Sequence, residues 1–451
     1  NPEQLCNALR AAVDAHPAMK ARLAMIDGDV MQERRDEEPV EVKFEKLDIE
    51  PDAAFFQERV RPFDLFNDNL YRLEVYQTPT TVYLFIDVYH IVFDGVSSYI
   101  FMDDVRKALA GETLVAEDYT AYDRAIDEKK WMESEEFKKA EAYFDNLLAD
   151  AEVASYPHSL KPDGGQSGSA HVQAKVLASA IDQYCKSHGF TQNNFFMTAL
   201  MQVLHRITRE KDILITTIDS GREDSETQQI TGMFVKTLTV VSSAQGENTT
   251  YNSSFTSAVE KMQDQFVGTK SLSIYPYTRI AERYQIRPEI MFVYQGGMDL
   301  LPEGSDAKDS IILQLDTTKA PIVLMIVPDT DGTYILDIEY STKLYSKHDM
   351  EVLVKAYQTY VKQAPSHADN EKTIKLLSPA AEQKMLNISE GDSIDYPHNE
   401  TWIDMFLAEL DKHPEQLAVV DATGSLTYAE YNAQSLRLAN GLISEGIKPG
   451  D

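Results

Sequence analysis

Only two cysteines, Cys6 and Cys185, occur in a chain of 451 residues. That excludes a disulfide framework and a cysteine-rich metal centre. Cys185 falls in an amphipathic helical pattern and reads as core, not as a nucleophile. No apolar run is long enough to cross a bilayer as a helix, and no signal peptide is recognisable, so a cytoplasmic protein is the expectation. Basic residues are the minority: 42 Lys plus Arg stand against 73 Asp plus Glu, a net charge of −31. Such a chain repels phosphate backbones, which excludes nucleic acid as a partner. Histidines such as His158, His171, His188 and His205 form no ligand-spaced cluster, so no metal site is expected. Neither G-x-x-x-x-G-K-S/T nor G-x-G-x-x-G occurs between a strand and a helix, so no nucleotide site is expected either.

What is present is an ordinary globular composition, 43% hydrophobic, on a length suited to about three domains. One stretch organises it. Thr81 to Ile86 is a rich strand former, and Tyr99 to Leu109 carries apolar residues at helical spacing. Between them, His90 falls near the end of a strand and Asp94-Gly95 at the turn into a helix. Strand alternation puts Val82, Leu84, Ile86, Val88 and His90 on one face and Tyr83, Phe85, Asp87 and Tyr89 on the other. His90 is therefore expected to point into the protein. Taken alone, the motif reads more readily as a buried histidine followed by an aspartate helix cap than as a catalytic site.

Along the chain, helices are expected at 2–15, 52–61, 95–110, 119–130 and 135–149, with strands near 18–26, 30–35, 40–45, 71–77 and 81–90. Residues 151–169 are rich in Pro, Gly and Ser and read as a linker. A second set follows: helices near 180–188, 193–209, 254–267 and 347–363, and strands near 212–218, 234–242, 290–295, 311–316, 321–327 and 333–340. This is mixed α and β without a regular βαβ repeat. The resulting division is a first lobe at 1–155, a linker at 156–170, a second lobe at 171–375, a linker at 376–398 and the start of a further domain at 399–451. The chain reads as a piece of something longer.

Tyr89 to Gly95 resembles the HHxxxDG signature of condensation domains of nonribosomal peptide synthetases, members of the chloramphenicol-acetyltransferase-like superfamily. Tyr89 replaces the first histidine, and His90 stands at the second, the family's catalytic one. The likeness extends further. Ala15 to Leu23 is similar to RHExLRTxF, keeping His16 but placing Lys20 at the second arginine's position. Ile230 to Leu238 is similar to VGxFVNTL, with Lys236 for the asparagine. Ser273 to Tyr277 loosely resembles QDYPFE, and Phe292 to Gln295 and Ile338 to Tyr345 resemble late strands of the family. Thr401 to Phe406, His413 to Glu415, Ala418 to Val420 and Leu426 to Tyr431 resemble the start of an adenylation domain.

The resemblance implies an α+β fold of two chloramphenicol-acetyltransferase-like lobes in a V-shaped pseudodimer with a tunnel between them. It implies amide formation between an acyl or peptidyl thioester on an upstream carrier domain and an aminoacyl thioester on a downstream one. No cofactor is bound directly; phosphopantetheine arms arrive with the carriers, and an adenylation domain adjoins. His90 is the implied catalytic residue. Asp94 is implied to pair with an arginine, for which Lys20 or Arg22 is the candidate. Gly95 allows close approach of an arm, Ser97 caps the helix or bonds a tunnel group, and Tyr89 packs behind the site. Gly232, Met233 and Phe234 bridge the lobes, with Phe234 as packing and Met233 as tunnel wall or, by default, core. Two rivals stand beside this reading: a degenerate domain that binds carriers without catalysis, and an acyltransferase using coenzyme A.

Overall fold

The computed structural model describes residues 1–148, 151, 156–164, 168–243, 254–296, 313, 318–370, 373–396, 398–448 and 450–451. The first part of the chain forms α1 (Pro2–Ala15), β1 (Arg22–Ile26), β2 (Asp29–Glu33), β3 (Lys43–Lys46), α2 (Ala53–Gln57), β4 (Tyr71–Gln77), β5 (Val82–Val88), α3 (Gly95–Leu109), α4 (Ala121–Trp131) and α5 (Glu135–Leu148). The sheet order is β3-β4-β5, with β1 and β2 a separate hairpin. The amphipathic stripe of α1 (Leu9, Ala12, Val13) packs with Phe101 and Val105 of α3 over Leu73 and Val75 of β4. Full burial of one such aliphatic side chain contributes about 1.5–3 kcal/mol.

The second lobe forms β6 (Ser169–Leu177), α6 (Ala178–His188), α7 (Gln192–Thr208), β7 (Asp212–Asp219), β8 (Lys236–Ser243), α8 (Phe255–Ser271), α9 (Tyr277–Tyr284), β9 (Ile290–Tyr294), β10 (Ile322–Pro328), β11 (Thr333–Ser341) and α10 (Lys347–His367). Its six strands run in the order β6-β11-β10-β9-β7-β8. β9 is parallel to both its neighbours; the other pairings are antiparallel. One core joins α7 and α10 to this sheet through Phe195, Phe196, Leu324, Ile338, Tyr357 and Tyr360. Cys185 is buried in it, and burial pushes its thiol up to about 12. The expected strand at 311–316 lies outside the described residues except at 313.

Three features depart from the expected pattern. β5 stops at Val88, so Tyr89 and His90 lie beyond the strand. β6 begins inside the linker-like stretch, whose serines and glycines mask it. α5 falls within 1–155, yet its stripe of Ala140, Phe144 and Leu148 packs on Leu214 and Val241 of the second lobe's sheet. The helix's periodicity announced a buried face; only the fold decides which sheet covers it.

Residues 1–380 form one compact unit and residues 381–451 another. The second unit, described by itself, contains α12 (Trp402–Lys412), the hairpin of β12 (Leu417–Asp421) with β13 (Gly424–Thr427), and α13 (Tyr428–Ser444). A preceding helix, α11 (Pro379–Ser389), spans the division. Phe406 of α12 packs its ring 5.6 Å from Tyr428 and 5.5 Å from Tyr431. No described helix is long and apolar enough to cross a membrane.

Candidate active site

The site is built at the end of β5. Past Val88 the chain turns: the Val92 N–H donates to the Tyr89 carbonyl at 3.1 Å, and Phe93 then leads into α3. His90 sits in this turn and is exposed. The alternation that pointed it inward ends with the strand, which corrects the inward orientation read from the sequence. Its ring is nevertheless fixed. Nδ1 lies 2.8 Å from the Phe93 carbonyl oxygen. A carbonyl only accepts, so Nδ1 carries the proton and the neutral ring presents Nε2 as its free base. Tyr89 is 37% exposed and sets its ring edge-on to Phe63 at 5.8 Å.

Asp94 is the helix cap the sequence suggested: its carboxylate accepts from the Ser97 N–H at 2.8 Å at the start of α3. It does more than cap. Oδ1 also accepts from the Arg222 Nη2 at 2.9 Å, and Oδ2 from the Phe234 N–H at 3.1 Å. The Arg222 and Asp94 side chains are only 2% and 0% exposed. Arg222 Nη1 donates to the carbonyls of Thr227 and, at 2.7 Å, Ile230, and its guanidinium lies 4.4 Å from the centre of the Phe234 ring. The arginine partner of Asp94 therefore comes from the second lobe. Lys20 pairs with Asp14 at 2.6 Å and donates to the carbonyls of Asp36 and Glu38; Arg22 pairs with Glu38 at 2.9 Å and donates to Asn69. Neither takes the role expected of it. The signal for Arg222 was faint: one arginine in a polar loop after an apolar strand.

Ser97 is fully buried at the third position of α3. Asp94, not Ser97, is the cap. The Ser97 hydroxyl accepts from the Gly232 N–H at 3.0 Å and from Arg222 Nη2 at 2.9 Å, and its own proton faces Asp94 at 2.8 Å and the Gly232 carbonyl at 2.9 Å. Gly95 is exposed in the first turn of the helix. The segment 230–235 is thus tied to the first lobe by three buried hydrogen bonds, two between Gly232 and Ser97 and one from the Phe234 N–H to Asp94. Phe234 is buried, as read; Met233 is 42% exposed, so its default reading as core gives way.

Gly232 has φ +157°, and a Cβ there would stand 2.6 Å from the Phe234 ring and 2.9 Å from the Ala121 Cβ. Gly232→Ala is expected to cost about 1–3 kcal/mol through strained backbone and overpacking. Urea unfolding measures it; an unchanged midpoint would mean the segment shifts freely.

A second tie was not foreseen. Buried His16 donates through Nδ1 to Glu117 at 2.7 Å, and its Nε2 faces Asp104 at 3.2 Å. The same Glu117 oxygen accepts from the Thr231 N–H at 2.7 Å, which links the helix-end histidine to the bridging segment. Burial pulls the His16 pKa down, but the contacts to Asp104 and Glu117 outweigh it, and the net direction is up from 6.5. The folded protein then binds this proton more tightly than the unfolded chain. Its contribution is complete below about pH 6.5 and is lost as pH rises through the folded value. The stability gap between wild type and His16→Gln is expected to be widest at low pH and to narrow on going alkaline. Unfolding titrations from about pH 5.5 to 9 check this; a gap constant with pH would disconnect His16 from the linkage.

Bordering the turn is a cavity of about 110 Å³, lined by Ile91, Val92 and Ala18 from the first lobe, by Met233 and Phe234 from the bridging segment, and by Arg124, Glu128 and Lys236, among others.

The site is thus an exposed imidazole with a fixed tautomer, on a turn beside the contacts that join two α+β lobes. A family model described as Condensation domain matches residues 1–386. The chain belongs to the condensation-domain family. It is 24% identical over 99% of its length to gramicidin S synthase 2 of Brevibacillus brevis and 25% identical over 98% to bacitracin synthase 1 of Bacillus licheniformis. It spans about a tenth of the length of those relatives, 10% and 9%. Among solved structures it is similar to a four-domain nonribosomal peptide synthetase bound to AMP and glycine, with TM-score 0.72, 19% identity, and coverage of 100% of this chain and 36% of that one. It is also similar to the X-domain from teicoplanin biosynthesis, with TM-score 0.70, 17% identity, and coverage of 83% and 90%. Condensation domains of nonribosomal peptide synthetases form peptide bonds, an acyltransferase reaction, and this chain is a domain of that kind. The degenerate and coenzyme A-dependent alternatives are not favoured by these relatives.

Proposed function

We propose that His90 is the general base for amide formation between a donor acyl or peptidyl thioester and the amine of an aminoacyl thioester, each held on a carrier by phosphopantetheine. The single observation that carries this role is the His90 Nδ1 contact with the Phe93 carbonyl, 2.8 Å long, which leaves Nε2 free and exposed. The acceptor amine attacks the donor carbonyl, forming the C–N bond. Nε2 takes the proton released from nitrogen as the C–S bond breaks. The same proton then goes to the departing thiolate.

On this reading the two arms enter from opposite ends of a passage between the lobes, reaching His90 from an upstream and a downstream carrier. Asp94, Ser97 and Arg222 do not touch the reacting atoms. They hold the start of α3 and the bridging segment in register behind His90. Gly95 lies exposed where an arm can pass close to the backbone. Lys20 and Arg22 brace the first lobe's own loops. Residues 399–451 are read as the beginning of an adjoining adenylation domain, and the lobes and linkers as divided near 156–170 and 376–398. The working compartment is the cytoplasm.

The test is a single-turnover assay with a donor-loaded and an acceptor-loaded carrier. The expected product is the amide on the acceptor carrier. Product from acyl-coenzyme A at equal rate, without any carrier, would replace this reading; carrier binding with no amide from any substrate pair would do so too.

A further inference from the structure

The cavity beside the His90 turn has a charged margin that the catalytic reading leaves unused. α4 presents Ala121, Arg124, Ala125 and Glu128 to it, spaced as one face of a helix. Opposite this face stands the first residue of β8, Lys236. Lys236 Nζ donates to Glu128 at 2.6 Å, and the two side chains are 20% and 27% exposed. Arg124 holds the same Glu128 oxygen at 3.4 Å and Asp224 at 3.1 Å. The positive and negative charges are therefore matched at this margin, and nothing about it selects an ion. The rest of the lining is mostly apolar, Ala18, Ile91, Val92, Met233 and Phe234, with Gln32 and Gly232 completing it.

A space of about 110 Å³ is smaller than the 150 Å³ cavity that takes a benzene ring, so it suits an aliphatic group of up to about four carbons. It is bounded on one side by residues 91 and 92, adjacent in the chain to His90. An aminoacyl group presented to Nε2 must put its side chain somewhere, and the two residues that follow His90 in the chain line this cavity.

Resting on the function proposed above, we propose that this cavity receives the side chain of an aminoacyl substrate and that the Lys236–Glu128 pair sets its size limit. The pair is a specificity determinant. Its long aliphatic stems fill space, and the ion pair keeps them from swinging aside. An unpaired Lys236 would be free to vacate the margin, so Glu128 acts as the positioning residue for Lys236.

The experiment is the carrier-to-carrier single-turnover assay with a graded series of substrates, alanyl, valyl, leucyl and phenylalanyl. The series is run once on the acceptor carrier with a fixed donor and once on the donor carrier with a fixed acceptor. The quantity read is the ratio of rates for phenylalanyl over alanyl. One methylene of fit in an apolar pocket is worth about 10-fold or more, so Lys236→Ala is expected to raise the ratio by about 10-fold or more in one series. Which series moves identifies the substrate that uses the cavity. Glu128→Ala is expected to move the same series in the same direction. The charge reversal Lys236→Glu with Glu128→Lys re-forms the pair and is expected to return the ratio toward wild type. General loss of stability would lower all rates together and leave the ratio unchanged. A ratio within about twofold of wild type in both series, for both single variants, overturns the pocket while leaving the role of His90 intact. Absence of amide product in the wild-type protein with every substrate overturns the functional reading itself, and the pocket with it.

Discussion

His90→Ala is expected to slow amide formation by about 10²–10⁴-fold, the usual worth of a positioned general base. The reason the loss is bounded lies in the substrate. A free α-amine has a pKa near 8 and is partly neutral at pH 7 before any base acts. The histidine is needed for the second proton, which becomes acidic only as the C–N bond forms. Two thioester arms held in line contribute independently of it, so residual turnover should survive. Because His90 is exposed, its truncation should change stability by no more than about 0.5 kcal/mol. Lost activity is then separable from lost folding. Pre-steady-state mixing of loaded carriers makes the measurement, and a rate within a few-fold of wild type would take His90 out of the chemistry.

Arg222→Met is expected to lower the unfolding free energy by about 3–5 kcal/mol, the cost of leaving one partner of a buried ion pair uncompensated. Asp94 would keep its contacts to the Ser97 and Phe234 N–H groups but lose the cation it pairs with, with its side chain 0% exposed. The carbonyls of Thr227 and Ile230 would lose their donor as well. Arg222→Lys should recover little, since one ammonium cannot reach Asp94, Ser97 and two carbonyls from a single position. The double variant Asp94→Asn with Arg222→Met should lose less than the sum of the singles, because the buried charge is gone from both sides. Denaturant unfolding of the wild type, the three single variants and the double variant decides it. A loss under about 1 kcal/mol for Arg222→Met would show that water reaches Asp94 and that the junction is not sealed by this pair.

Much of the fold was legible because it is written in short-range periodicity. The stripe of α1, the alternation of β4 and β5 and the switch to helical spacing after Asp94 all report which face a residue must hide. Those readings needed no knowledge of neighbours. The limits follow from the same cause. Alternation was carried two residues too far, because nothing in Tyr89 or His90 announces that the ladder with β4 ends at Val88. β6 was lost in a serine- and glycine-rich stretch, and α9 in a Tyr-Pro-Tyr segment that does not look helical from its start. Of the site, His90, Asp94 and Gly232 could be named in advance, since motif and turn chemistry mark them.

By itself, then, the sequence settled most of the element types, the change from strand to helix around Asp94 and, with two cysteines only, the exclusion of a disulfide framework. It also carried the likeness that the family match bears out. Tertiary structure alone decided that Arg222, 128 residues from Asp94, is its partner, that Glu117 joins His16 to Thr231, and that Lys236 meets Glu128. Periodicity tells a side chain whether to be buried, not against what. The identity of a partner depends on which distant segments the folded backbone brings within hydrogen-bond reach.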